Sequence, residues 1–204
     1  MKRNRLGLFF ASAGALLLFG CATSKNKSWI NPDFKDQTIG KTIVLATFED
    51  KFLCAEYETT FARRLLDYVP AASMHADVKN VDTLDKKALE NLLKENSVQT
   101  LIVTHVLNIA NRSQLVPYGV SYVSYVGDYS SYYTECISIQ PDESVDSFTE
   151  IYVETTVFDV NSGKLIWSGR KQVYDFNSDA SNMEKVIDGV IWDLERYGML
   201  KESL

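Results

Sequence analysis

The stretch Glu150-Ile-Tyr-Val-Glu-Thr-Thr-Val-Phe-Asp-Val160, the linker Asn161-Ser162-Gly163 and the stretch Lys164-Leu-Ile-Trp-Ser-Gly-Arg-Lys-Gln-Val-Tyr-Asp175 read as a β-hairpin. β-branched and aromatic residues fill both arms, and Asn, Ser and Gly supply the turn, where positive φ is tolerated. Side chains alternate along a strand. Ile151, Val153 and Val157 therefore share one face of the first arm, and Glu150, Glu154 and Thr156 share the other. On the return arm Leu165, Trp167 and Val173 share a face, opposite Arg170 and Gln172. An antiparallel pair this late in the chain decides the fold class once the elements before it are known.

Those elements alternate. Lys41 to Phe48 is a short β-branched apolar run, the mark of a strand buried on both faces. Cys54 to Val69 repeats Tyr57, Phe61, Leu65 and Tyr68 at helical spacing, and Pro70 ends it. Met74 to Val81 predicts a weaker strand. Leu84 to Glu95 predicts a helix capped by Asp82 or Thr83 and closed by Asn96. Val98 to Ile109 predicts a strong strand around Leu101-Ile102-Val103. After the hairpin, Met183, Val186, Ile187, Val190, Ile191, Leu194 and Tyr197 follow one helical stripe, with a Ser181–Glu184 capping box and Gly198 at the C-terminal left-handed position. The order is β-α-β-α-β-insert-β-β-α. Crossovers in the first half and a hairpin in the second predict an α+β fold with a mixed sheet and three helices mainly on one face.

The insert, residues 111–148, differs in composition from the rest. It holds six of the 11 tyrosines: Tyr118, Tyr122, Tyr125, Tyr129, Tyr132 and Tyr133. Alternation in Val120 to Val126 and in Glu135 to Ile139 suggests one or two inserted strands. Tyrosine beside Gly and Ser combines rigid contact area with an adaptable backbone, so these six residues are the candidate partner-binding positions. The competing reading has the same rings packing the insert against the sheet.

The chain opens with Lys2, Arg3 and Arg5, then an apolar run from Leu6 to Gly20. That pattern is a secretory signal, and the run is shorter than the roughly 20 residues that span a bilayer. The end of the run, Leu18-Phe19-Gly20-Cys21, resembles a bacterial lipobox, with Phe19 in place of the usual small or β-branched residue. The resemblance implies cleavage after Gly20 and acylation, palmitate included, at Cys21. Residues 1–20 are then a signal peptide, 21–38 an acylated tether and 39–204 a single domain. Ala22, where inner-membrane lipoproteins often carry Asp, implies the outer membrane and its periplasmic side.

Loss of the three basic residues leaves 18 basic against 27 acidic residues, a charge of −9. An acidic chain without a basic cluster excludes nucleic acid as a partner class and leaves the lipid anchor as the hold on the membrane. With Cys21 acylated, Cys54 and Cys136 remain, either as a disulfide or as two buried thiols. The chain has no Gly-x-Ser-x-Gly, His-Glu-x-x-His or Gly-rich phosphate loop. His75, His105 and Cys54 lack metal-ligand spacing, so no metal, no cofactor and no catalytic residue is expected; a thiol or metal enzyme centred on Cys54 is the least favoured reading.

The element order, with Asp159-Val160-Asn161-Ser162-Gly163-Lys164-Leu165-Ile166-Trp167-Ser168-Gly169 as the late hairpin, resembles small bacterial lipoproteins whose domain is similar to the TolB amino-terminal fold. That group includes the curli-secretion lipoprotein and the lipoprotein activator of a peptidoglycan synthase. The resemblance spans roughly residues 40–200 and brings no catalytic residues. It implies a non-enzymatic binding or accessory protein of the cell envelope, with an envelope protein or the cell wall as partner. The alternative it implies is a subunit of a homo-oligomeric secretion or assembly complex.

Overall fold

The computed structural model describes residues 27–78, 81, 84–107, 129, 132, 150–174 and 180–201. Six strands form one mixed sheet: β1 (Lys27–Ile30), β2 (Thr42–Thr47), β3 (Ala71–Ser73), β4 (Thr100–Leu107), β5 (Glu150–Asp159) and β6 (Leu165–Tyr174). Their order across the sheet is β1-β6-β5-β4-β2-β3. β2 is parallel to β3 and β4, whereas the β4-β5-β6-β1 half is antiparallel throughout. The helices are α1 (Lys51–Leu65), the single turn α2 (Met74–Asp77), α3 (Lys86–Glu95) and α4 (Ala180–Arg196). The expected α+β class and mixed sheet are what the chain adopts.

The sheet is covered on both faces. α1 and α4 pack on the face of Val44, Ile102, Val153 and Val157. Alternation sends Ile43, Leu45, Leu101 and Val103 to the other face, where they meet Leu89 and Leu93 of α3. Of the three helices expected mainly on one face, α1 and α4 share a face and α3 takes the opposite one. The pure apolar runs of β2 and β4 require both covers, because their side chains point both ways.

Several local expectations are corrected. The tether expected over 21–38 is shorter, because Lys27–Ile30 pairs with Trp167–Arg170 as an edge strand. Asn31 fixes its lower end: Asn31 N–H and Nδ2 donate to the Ile166 and Leu165 carbonyls at 2.8 and 3.1 Å. The strand expected over Met74 to Val81 instead runs Ala71–Ser73, and the chain then turns into α2, whose N-cap is Ser73. α3 is capped by Asp85, which accepts the Ala88 N–H at 2.7 Å, not by Asp82 or Thr83, which lie outside the described residues. α1 begins earlier than expected because Asp50 accepts the Phe52 and Leu53 N–H groups at 2.8 and 3.3 Å. Ser181 lies inside α4, which already includes Ala180, so the capping box is not in register.

The hairpin register holds one surprise. Phe158 faces Leu165 but Val157 faces Trp167, so Ile166 is an extra residue and the strand bulges there. The bulge breaks the alternation. Trp167 and Val173 stay on the α1/α4 face, whereas Leu165 turns to the α3 face beside Phe158. The expected common face for Leu165, Trp167 and Val173 is corrected in this respect. At the chain's other expected turn, Gly198 has φ +73° and its N–H donates to the Glu195 carbonyl, closing α4 as its position predicts.

Candidate functional site

Two buried carboxylates organise the polar chemistry of the described residues. Glu58 sits on α1, four residues after Cys54 and three before Phe61, and is completely buried. It lies where β3 has ended: the β2–β3 ladder stops at Val44–Ser73, two residues before Ala46. Its Oε1 accepts the Ala46 N–H at 2.7 Å and lies 2.6 Å from His75 Nδ1. Its Oε2 accepts the Ser73 hydroxyl at 2.8 Å and the His75 N–H at 2.7 Å. A carboxylate offers about four acceptor sites, and these contacts use them all. The side chain takes the place of strand residues that β3 does not supply, tying β2, α1 and α2 together.

The second carboxylate, Glu154, lies in a row across three strands. His105 of β4 is directly opposite Glu154, and Glu154 is directly opposite Arg170 of β6. Arg170 Nε donates to Glu154 Oε1 at 2.6 Å, and His105 Nε2 lies 3.5 Å from Oε2. The Tyr132 hydroxyl donates to Oε2 at 2.9 Å and lies 3.0 Å from His105 Nδ1. The Tyr132 ring meets those of His105 and Phe158 at centroid distances of 5.6 and 5.3 Å. Burial holds the His105 pKa below its ordinary value; Glu154 opposes that shift and Arg170 adds to it. On the opposite face the Tyr57 hydroxyl lies 3.3 Å from Thr104 Oγ1, and burial pushes the Tyr57 pKa up to about 12 against the hydrogen bonds from Thr104 and Thr155.

The structure distributes the predicted residues unevenly. Tyr129 and Tyr132 are buried, at 4% and 7% exposure, in the core that α3 closes. For these two positions partner contact is corrected to packing: they cover the face of β5 that carries Glu154 and Thr156, and both of those side chains are buried as well. Tyr118, Tyr122, Tyr125, Tyr133, Cys21 and Cys136 lie outside the described residues. Cys54 is buried against the start of α1; its Sγ accepts the Phe48 N–H at 3.2 Å and, as a thiol, faces the Phe48 carbonyl at 3.5 Å. His75 and His105 belong to separate clusters, and among the described residues no group of three His, Cys, Asp or Glu side chains is placed to hold a metal. Among the same residues no helix is long and apolar enough to cross a membrane.

The chain matches no protein-family model, and a search of curated proteins returns no match. Solved structures do resemble it. A PelC dodecamer subunit from Paraburkholderia phytofirmans is 11% identical, with 87% of this chain and all of that one covered at a TM-score of 0.43. The lipoprotein GNA1162 from Neisseria meningitidis is 15% identical, covering 78% of this chain and 99% of that one at a TM-score of 0.38.

Sequence reading missed both carboxylates. Glu58 carried a signal, since it interrupts the apolar stripe of α1 on its buried side. Glu154 and Arg170 also carried one, as opposite charges directly across a hairpin. The third member of that row, His105, comes from a strand 49 residues upstream of Glu154, and no local pattern joins them.

Proposed function

We propose that this chain is a lipid-anchored protein of the bacterial cell envelope that works by binding rather than by catalysis. The observation that carries the reading is the register of Lys2, Arg3 and Arg5, the apolar run from Leu6 to Gly20, and Cys21 directly after it. Acylated Cys21 holds the mature chain to the membrane, and Ala22 directs it to the periplasmic side of the outer membrane. The two buried carboxylates support the non-enzymatic half of the proposal. Glu58 and Glu154 are engaged by donors of the chain itself, so neither is presented to a substrate.

The partner is an envelope protein or the cell wall, in keeping with the resemblance to envelope accessory lipoproteins. With Tyr129 and Tyr132 in the core, the contact falls to Tyr118, Tyr122, Tyr125 and Tyr133. One experiment addresses anchor and partner together: mass analysis of the mature amino terminus, with photocrosslinking in intact cells. The mature protein should begin at an acylated Cys21. Cys21→Ala should release it from membranes, and Tyr122→Ser with Tyr125→Ser should lose the crosslinked species without loss of fold. An unmodified amino terminus elsewhere in the chain defeats the anchor; an undiminished crosslink defeats the tyrosine contact.

A further inference from the structure

The sheet has two ends, and the elements near them are sharply different. At one end lie the last residues of β2, β4 and β6 and the first of β5. α1 starts at this end, with three residues between it and the end of β2 at Thr47. The other end carries the α1 C-terminus and the α4 C-terminus, where Tyr68 bonds Glu195 at 2.6 Å and the Ile39 N–H bonds the Met199 carbonyl at 3.0 Å.

Among the described residues three large apolar side chains are mostly exposed: Phe52 at 88%, Trp192 at 59% and Leu66 at 58%. Leu66 is at the α1 C-terminus, and Trp192, near the α4 C-terminus, has the Arg196 guanidinium 4.7 Å above its ring. Phe52 stands apart from them, in the first turn of α1. The Asp50 carboxylate beside it is exposed and caps the helix by accepting the Phe52 and Leu53 N–H groups. The rim presents an exposed phenyl ring at the start of α1, beside the exposed side chains of Glu49, Asp50 and Lys51. Apolar area of this kind gains by entering the boundary of head groups and acyl chains once an anchor holds the protein there.

The anchor reaches the same rim. β1 is antiparallel to β6, so the chain enters β1 from the Phe52 side, with Lys27 opposite Arg170. Arg170 is four residues from Tyr174, where β6 ends, about 13 Å at strand rise. Six residue steps separate Cys21 from Lys27, and whatever their conformation they span at most about 20 Å. A tether of that length leaves less than about 10 Å between the acylated residue and the rim when it continues in the direction of β1.

We propose that the end of the sheet carrying Phe52 rests on the lipid surface and that Phe52 inserts at the boundary of head groups and acyl chains. The proposal rests on the anchor at Cys21, and its test separates the two. The lipidated full-length protein is reconstituted into phosphatidylethanolamine–phosphatidylglycerol vesicles, with acyl mass and vesicle flotation measured first. Phe52→Trp and Leu66→Trp each add one tryptophan to the parent emission, and the vesicles are prepared with and without acyl-brominated lipid. Bromine should remove most of the emission added at position 52 and little of that added at position 66. An acylated, floating protein whose position-52 emission survives overturns the proposal, whether the ring then faces water or a protein partner. Stronger quenching at position 66 overturns it too, by putting the opposite end on the membrane. Failure to acylate or float counts against the anchor instead.

Discussion

His105 shows what burial does to a single group. Its ring is enclosed by Glu154, Arg170 and Tyr132, and desolvation holds its pKa below the ordinary imidazole value of about 6.5. The folded protein therefore binds the proton less readily than the unfolded chain. Stability from this residue is complete above the unfolded pKa and is lost as pH falls from about 6.5 toward the lower folded value. Urea midpoints at pH 7.5 and pH 5.5 should fall on acidification in the parent protein and fall less in His105→Gln. Equal falls in the two proteins would show that His105 does not set the acid limb. Glu58 makes a related point about charge. Its carboxylate is buried without a Lys or Arg against its oxygens in the contacts described; the His75 ring nitrogen 2.6 Å from Oε1 and hydrogen bonds from the Ala46 N–H, the Ser73 hydroxyl and the His75 N–H hold it. Loss of such an acceptor strands buried donors, each at a cost of about 1–3 kcal/mol.

At the scale of the element, β6 and α4 each carry a glycine, and the two should respond in opposite ways. A Cβ on Gly169 would lie 2.3 Å from the Trp167 ring, which folds back along its own strand over that position. Trp167 is almost completely buried between the sheet and the two long helices, so it has nowhere to retreat. Gly169→Ala should cost on the order of 2 kcal/mol through displaced packing. Gly189, inside α4, has only Lys171 Nζ at 3.4 Å from the same built atom. That ammonium is the end of a flexible side chain, which donates to the Lys185 carbonyl. Gly189→Ala should therefore stabilise the protein by about 0.5–1 kcal/mol, the usual gain from removing a helix-interior glycine. Thermal unfolding of the two variants is the check. A destabilised Gly189→Ala would mean that the Lys171 side chain is less free to shift than its position suggests.

For the whole molecule, the decisive element is the short β1. It covers the outer edge of β6 from Trp167 to Arg170, and Asn31 locks its end to Leu165 and Ile166. A chain beginning at Lys27 should match the thermal stability of the Cys21→Ala protein, because all of the sheet is present. A chain beginning at Pro32 leaves β6 as a bare edge, a ready template for pairing with another copy. It should melt lower and self-associate in sedimentation. If it stays monomeric with an unchanged melting point, β1 is an ornament of the sheet rather than its edge cover.

The sequence by itself determined the periodic features. The alternation of β5, the apolar stripe of α4, the turn at Gly163 and the cap at Gly198 are set by residues a few positions apart, and local chemistry suffices to place them. It also determined the reading of the amino terminus, because a signal is read as a linear pattern. Only the tertiary structure decided what covers each face. Period shows that Glu154 and Thr156 share a side, but whether that side meets water depends on Tyr129 and Tyr132 arriving from elsewhere in the chain. The same holds for Leu165, turned over by a single bulged residue, and for Glu58, whose partners come from β2 and from the start of α2. Periodicity assigns a residue to a face; burial depends on what packs there, and those neighbours come from segments far apart in the chain.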